Sequence, residues 1–308
     1  MTLAIGGLIL VGLSWTLIGI IMGSAPKKGL PPEIIQLFGA VIPIVVGMIV
    51  LSTGSLPPID WSDPDIIRGT LLYAVGSVLN FLFLQLLSYT MQRGPNGIIW
   101  AINQAGMFWT FLFGLIFLGD VLNVVRIIGI IMLLTALLLL GLAKDNSSKS
   151  GSRMWILLAF SGMLLCGIQQ IITTSPTYIP AVRENLNSVA RSVIVALFTL
   201  VPALIWNICA ERKKMLTSLR SAICSKYLWL SVLSMQGFSL LSAYFILYRS
   251  MDTLTAHGIG SAAYPLMVSS CLIGFALYSR FGLRERTTVK QTIGLILCIL
   301  GIISICIK

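Results

Sequence analysis

GPNGIIWAINQAGMFWTFLFGLIFLGD, residues Gly94–Asp120, is the stretch whose reading decides the fold. It opens on a Gly-Pro-Asn-Gly turn signal and closes on Gly119-Asp120. Between them lies an apolar run long enough, at about 1.5 Å per residue, to cross roughly 30 Å of hydrocarbon. On a helix, Asn96, Trp100, Asn103, Gln104 and Met107 stand at i, i+4, i+7, i+8 and i+11, which places them on one stripe. The remaining Ile, Leu, Phe and Ala suit lipid or neighbouring helices. An amide without a partner in hydrocarbon costs roughly 4–8 kcal/mol, so the stripe must face protein, water or a ligand. It serves either as interhelical hydrogen-bond glue, worth about 0.6–2 kcal/mol per bond, or as part of a substrate site. The second is the expectation adopted here.

The composition extends that reading to the whole chain. Of 308 residues, 57% are hydrophobic and 10% charged, with a mean hydropathy of +0.96. A soluble domain could not hide so much apolar surface, so an all-α polytopic membrane protein is expected. The net charge of +11 does not point to nucleic acid, because the basic residues sit in short loops between apolar runs and read as a topology signal. The first apolar run lacks a basic leader and ends at Lys27-Lys28, so it reads as a retained helix. Six cysteines lie mostly inside apolar runs with no C-x-x-C pairing, so neither a metal nor a disulfide is expected.

Ten apolar runs span roughly 3–23, 33–53, 67–90, 96–118, 121–142, 153–174, 188–209, 227–249, 257–280 and 289–307. The polar, Ser-rich link Lys144–Arg153 divides them, giving a first half over 1–145 and a second over 146–308. Fifteen of the 21 basic residues fall in the odd-numbered loops, which places those loops in the cytoplasm and both termini outside. The two halves echo one another. Gly12 and Pro26 match Gly162 and Pro176; Ser77, Asn80, Gln85 and Tyr89 fall opposite Gln236, Ser239, Tyr244 and Tyr248; Gly97, Trp100 and Asn103 fall opposite Gly258, Ser261 and Tyr264. Asp120 and Gly129 match Glu285 and Gly294. The offset drifts steadily from 150 to 165, as loop insertions in the second half would produce. Five helices per half is an odd number, so the repeats are expected to be inverted.

With ten helices as five plus five, and each half closing on an acidic residue nine positions before a glycine, the chain resembles the drug/metabolite transporter superfamily, in its EamA-like branch. The resemblance covers essentially the whole chain and rests on hydropathy and spacing more than on invariant residues. It implies a ten-helix inverted-repeat fold and secondary transport. It also implies a central cavity surrounded by the first, third and fourth helices of each half, with alternating access by rocking of helix pairs.

The residues support a cavity independently. Ser77, Asn80 and Gln85 recur at i+3 and i+8, as do Gln236, Ser239 and Tyr244, so each set lies roughly on one side of its helix. On the ninth run His257, Ser261 and Tyr264 repeat at i+4 and i+7, and Tyr264-Pro265 is expected to break that helix in mid-membrane. His257, the single histidine, is a candidate for proton coupling. Trp15, Gln169 and Gln170 are further candidates. Arg191 reads as an interfacial residue that snorkels to water, and Asp120 and Glu285 as structural residues that cap or orient the helices that follow them. No acidic residue lies deep in any run, which disfavours organic-cation antiport of the kind small multidrug exporters perform with a mid-membrane glutamate. No catalytic, metal or cofactor motif is present.

The expected function is therefore secondary transport of a small polar metabolite, neutral or zwitterionic, such as an amino acid or sugar. The expected site is Trp100, Asn103 and Gln104 with Asn80, Gln236, Tyr244, Ser261 and Tyr264. A nucleotide-sugar or organophosphate exchanger, a membrane enzyme and a non-transporting accessory protein are the alternatives. The partners expected are a small solute and the bilayer, with no nucleic acid, in a monomer or homodimer of a bacterial inner membrane.

Overall fold

The computed structural model describes residues 1–94, 96–121, 123–141, 154–210, 215–278, 281 and 289–306, and all regular secondary structure among them is helical. In order, the helices are α1 Thr2–Ser24, α2 Pro32–Ser52, α3 Pro64–Met91, α4 Asn96–Gln104, α5 Met107–Phe117, α6 Val124–Gly141, α7 Met154–Thr174, α8 Pro180–Asn185, α9 Ser188–Ala210, α10 Met215–Ile223, α11 Lys226–Leu241, α12 Tyr248–Ala256, α13 Ala263–Leu277 and α14 Val289–Cys306.

Local chemistry starts these helices where they start. Prolines open α2 and α3 at a position whose N–H has no intrahelical partner anyway. Asp63 caps α3 by accepting from the Asp65 N–H at 2.8 Å. In the loop before it, the Ser62 hydroxyl and N–H donate to the Asp60 carboxylate and hold its pKa below the ordinary value.

Seven stretches among the described residues are long and apolar enough to cross a membrane: Thr2–Ser24, Pro32–Ser52, Pro64–Met91, Ile98–Phe117, Met154–Tyr178, Ser188–Cys209 and Gly260–Leu277. The 23 residues of α1 reach about 34 Å at 1.5 Å per residue. Outward rows such as Val45, Met48 and Ile49 on α2 and Leu157, Phe160 and Leu164 on α7 stay exposed, as lipid-facing side chains do. These features mark a multi-pass membrane protein. Two more of the expected runs are shorter apolar helices, Val124–Leu139 and Thr292–Ser304. The eighth run, 227–249, is divided among α11, a π-helical segment Ser242–Leu247 and α12.

The breaks differ from expectation. The stretch Gly94–Asp120 is not one continuous helix: at Ala105-Gly106 the backbone tightens to i→i+3 bonds, with Gly106 N–H donating to Asn103 and Trp109 N–H to Gly106. On the ninth run the break precedes Tyr264-Pro265. Gly258 adopts φ 70°, a 3₁₀ turn covers Gly260–Ala262, and Pro265 sits in the first turn of α13, where it breaks nothing.

Helix α1 packs against α13 and against α11, the π segment and α12; α7 packs against α4 and α5 and against α3. α2 lies on α9, α6 on α14, α3 on α9 and α11 on α2. Glycines permit the closest crossings. A Cβ on Gly12 would run into the Met267 carbonyl on α13, and one on Gly162 into the Asn103 side chain on α4. The most enclosed span is Gly260–Leu277, 72% buried over its apolar window, against 28% for Met154–Tyr178.

Candidate functional site

A cavity of about 280 Å³ lies among these helices. Trp15 and Ile18 of α1, Gln36, Gly39 and Pro43 of α2, and Ser77 and Asn80 of α3 contribute to its wall, as do Trp100 and Gln104 of α4. From the second half of the chain come Cys166, Gln169, Gln170 and Thr173 of α7, Ser192 and Thr199 of α9, Tyr248 and Met251 of α12 and Tyr264 of α13. Periodicity explains this convergence. Gln36, Gly39, Ala40 and Pro43 follow i, i+3, i+4 and i+7 on α2, and Cys166, Gln169, Gln170 and Thr173 repeat the pattern on α7.

One wall is a connected polar array. Thr173 and Tyr264 share a hydroxyl–hydroxyl bond at 2.7 Å, and the Thr173 hydroxyl also approaches the Gln169 carbonyl at 2.8 Å. Thr110 donates to Gln170 Oε1 at 3.1 Å, while Gln170 Nε2 donates to the Cys166 sulfur at 3.2 Å. The Trp15 ring stands 6.0 Å from that of Tyr264, within the range of aromatic pairs. Trp100, also in the lining, is buried, and a Cβ on Gly19 would meet its ring at 3.3 Å. The Gln36 amide is different: it is 6% exposed and neither Nε2 nor Oε1 has a hydrogen-bond partner among the described residues.

Of the residues expected at the site, Asn80, Trp100, Gln104 and Tyr264 line this cavity together. Trp15, Gln169 and Gln170, the further candidates, line it too. Asn103 does not. It is buried against Gly162, and its Nδ2 donates to the Ile99 carbonyl at 2.8 Å, so it belongs to the α4–α7 contact. Ser261 is also elsewhere, buried against Gly114 in the turn before α13. His257 caps the end of α12, exposed, with Nδ1 2.7 Å from the Thr253 carbonyl and away from the cavity lining. The side chains of Gln236 and Tyr244 lie outside the described residues, as does Glu285. Sequence reasoning missed Gln36; its signal was a lone amide within the otherwise apolar second run.

Two polar clusters lie outside the cavity lining. Arg191 is not a snorkelling interfacial residue: its side chain is 1% exposed and NH1 donates to both Asp252 oxygens at 2.9 Å. Its Nε donates to Leu186 O and NH2 to Val182 O, both at 2.7 Å. The Tyr248 ring, which lines the cavity, stands 5.6 Å from the guanidinium, and neither Arg191 nor Asp252 is part of the lining. The second cluster centres on Asp120, which does not cap the helix that follows it. Asn123 serves that role for α6, accepting from Val125 N–H at 2.9 Å. Asp120 instead accepts the Ser261 N–H at 2.7 Å and the Tyr178 hydroxyl at 2.9 Å. Val121 N–H donates to Gly258 O at 2.8 Å beside it. The α5–α6 turn thereby ties down the entry to α13.

No protein-family model matches the sequence, and no curated protein matches it. The fold itself is found among solved structures. One, described only as "Crystal structure of protein", superposes with a TM-score of 0.62 over 98% of this chain and 96% of its own, at 15% identity. At that identity the likeness is one of fold.

Proposed function

We propose that this chain is a secondary transporter of the drug/metabolite type. It moves a small polar metabolite, neutral or zwitterionic, by alternating access through the cavity between the two halves. The observation that carries this reading is a cavity to which both halves contribute the same kind of wall: aromatic rings beside amides, which cover apolar faces and both donate and accept.

The inverted five-plus-five repeat draws support from the packing. The pairing of α1 with α13 mirrors that of α7 with α4 and α5; α1 with α11 and α12 mirrors α7 with α3. Likewise α3 on α9 mirrors α11 on α2, while α2–α9 and α6–α14 map onto themselves. Internal prolines Pro43 and Pro202 sit at an offset of 159, inside the drift already noted. Such a two-fold arrangement lets one half rock against the other around a fixed site. An organophosphate exchanger is the weaker reading, because Arg191, the buried cation beside the cavity-lining Tyr248, is already paired with Asp252.

The test is counterflow in proteoliposomes loaded with candidate amino acids and sugars. Uptake is expected to be saturable and to fall at least tenfold in Gln104→Ala and Tyr264→Phe, with unchanged reconstitution. Flux indifferent to both substitutions would refute the assignment of this cavity. The bacterial inner membrane topology, with odd loops cytoplasmic and termini outside, is tested by impermeant thiol labelling of cysteines introduced at Asp60 and Lys149 in a chain freed of its native cysteines. Only the Asp60 position should label from outside.

A further inference from the structure

We infer that the solute taken by this cavity is an uncharged, hydroxyl-rich molecule of monosaccharide size, an inference that rests on the reading of the cavity as a transport site. Four observations converge on it. First, no acidic, basic or histidine side chain lines the cavity among the described residues. The sequence extends that statement through the adjoining stretch, since residues Tyr227 to Tyr248 contain no acidic or basic residue. An ammonium or carboxylate brought here would be desolvated with no opposite charge to meet it, which costs far more than burying a hydroxyl that finds an amide.

Second, the charges that do lie nearby are spent on each other. Arg191 donates to Asp252 and to the Val182 and Leu186 carbonyls. Third, a helix N-terminus can substitute for a cation in holding an anion, but the 3₁₀ turn Gly260–Ala262 that leads into α13 already gives its Ser261 N–H to the Asp120 carboxylate. A zwitterion would therefore find neither pole provided for.

Fourth, the wall presents neutral groups that match hydroxyls. Gln36, which lines the cavity, is buried and without a hydrogen-bond partner at either amide atom among the described residues, and its amide carries one acceptor and two donors. The same lining holds the amides of Gln169 and Gln170 and the Thr173–Tyr264 hydroxyl pair. Trp15 and Trp100 supply the flat apolar surfaces that suit the C–H faces of a sugar ring. The volume of about 280 Å³ falls just under the roughly 300–1,000 Å³ of drug-sized pockets, which limits the solute to one ring.

The experiment is titration calorimetry on the purified full chain in nanodiscs, with D-glucose, D-galactose, D-ribose and myo-inositol as the uncharged probes. D-glucosamine, D-glucose 6-phosphate, L-serine and L-glutamine are the charged and zwitterionic ones. At least one uncharged probe is expected to bind, its charged derivative to bind at least tenfold more weakly, and Gln36→Leu to weaken binding about tenfold or more. Thermal unfolding of Gln36→Leu checks that it remains folded. Binding confined to an amino acid or to a charged sugar, and weakened by Gln36→Leu, would overturn the inference while leaving the transport reading intact. Silence from all four uncharged probes, or binding that ignores Gln36→Leu, would overturn it as well. Binding of an uncharged probe at Gln36 without counterflow would support the inference and sink the transport reading, so the two fail separately.

Discussion

The Arg191–Asp252 pair gives the sharpest energetic prediction. Asp252→Asn keeps the shape of the side chain and removes its charge, leaving a guanidinium 1% exposed without a counter-ion. Removing one partner of a buried ion pair costs about 3–5 kcal/mol. Asp252 keeps 18% of its side chain exposed, so the lower part of that range applies, about 3 kcal/mol. At about 2 °C per kcal/mol for a chain of this size, the unfolding midpoint should fall by roughly 6 °C. Arg191→Met should cost at least as much, because it also strips donors from the Leu186 and Val182 carbonyls. The double variant removes both charges together. Since an apolar replacement of a buried pair is often neutral, its midpoint should lie above the sum of the two losses by about 2 kcal/mol of coupling. Detergent-solubilised protein followed by tryptophan fluorescence on heating, at one fixed scan rate, reads all four midpoints. A fall below 2 °C for Asp252→Asn, or strict additivity in the double variant, would refute the view that this is a desolvated and mutually dependent pair.

Three further predictions concern other parts of the molecule. Gly12→Val drives a side chain into the Met267 carbonyl at the α1–α13 crossing, so it should destabilise by at least the 1–3 kcal/mol typical of overpacking, measured as the same midpoint. Asp120→Asn replaces charge-assisted bonds to Ser261 and Tyr178 by neutral ones. It should lose about 1–2 kcal/mol, and Tyr178→Phe added to it should cost less than it does in the wild-type chain. His257→Gln leaves the cavity untouched, since the histidine caps α12 outside it. The pH profile of flux between pH 5 and pH 8 should keep its shape, and a lost inflection would restore His257 as a coupling residue.

The contrast between what was legible and what was not follows the range of the interactions. Asn80, Trp100, Gln104, Gln169 and Gln170 could be picked out because an amide or indole inside an apolar run is anomalous wherever the helix goes. Helical periodicity then tells which stripe it joins. It does not tell which stripes face the same space. Asn103 and Gln104 are neighbours in sequence, yet a turn of 100° sends one into the α4–α7 contact and the other into the cavity.

What the sequence by itself determined is the membrane character, the positions of most spans and the polar residues that had to be sheltered, because hydropathy and the 3.6-residue period are local properties. Only the tertiary structure decided their partners. Arg191 finds Asp252 across 61 residues of chain, and Asp120 finds Ser261 across 141. Asp120 reads as a helix-end feature in the sequence, and Arg191 as a residue that reaches to water. A charge is stabilised by whatever opposite charge or dipole stands within a few ångströms, and helix crossings set that distance, not separation along the chain.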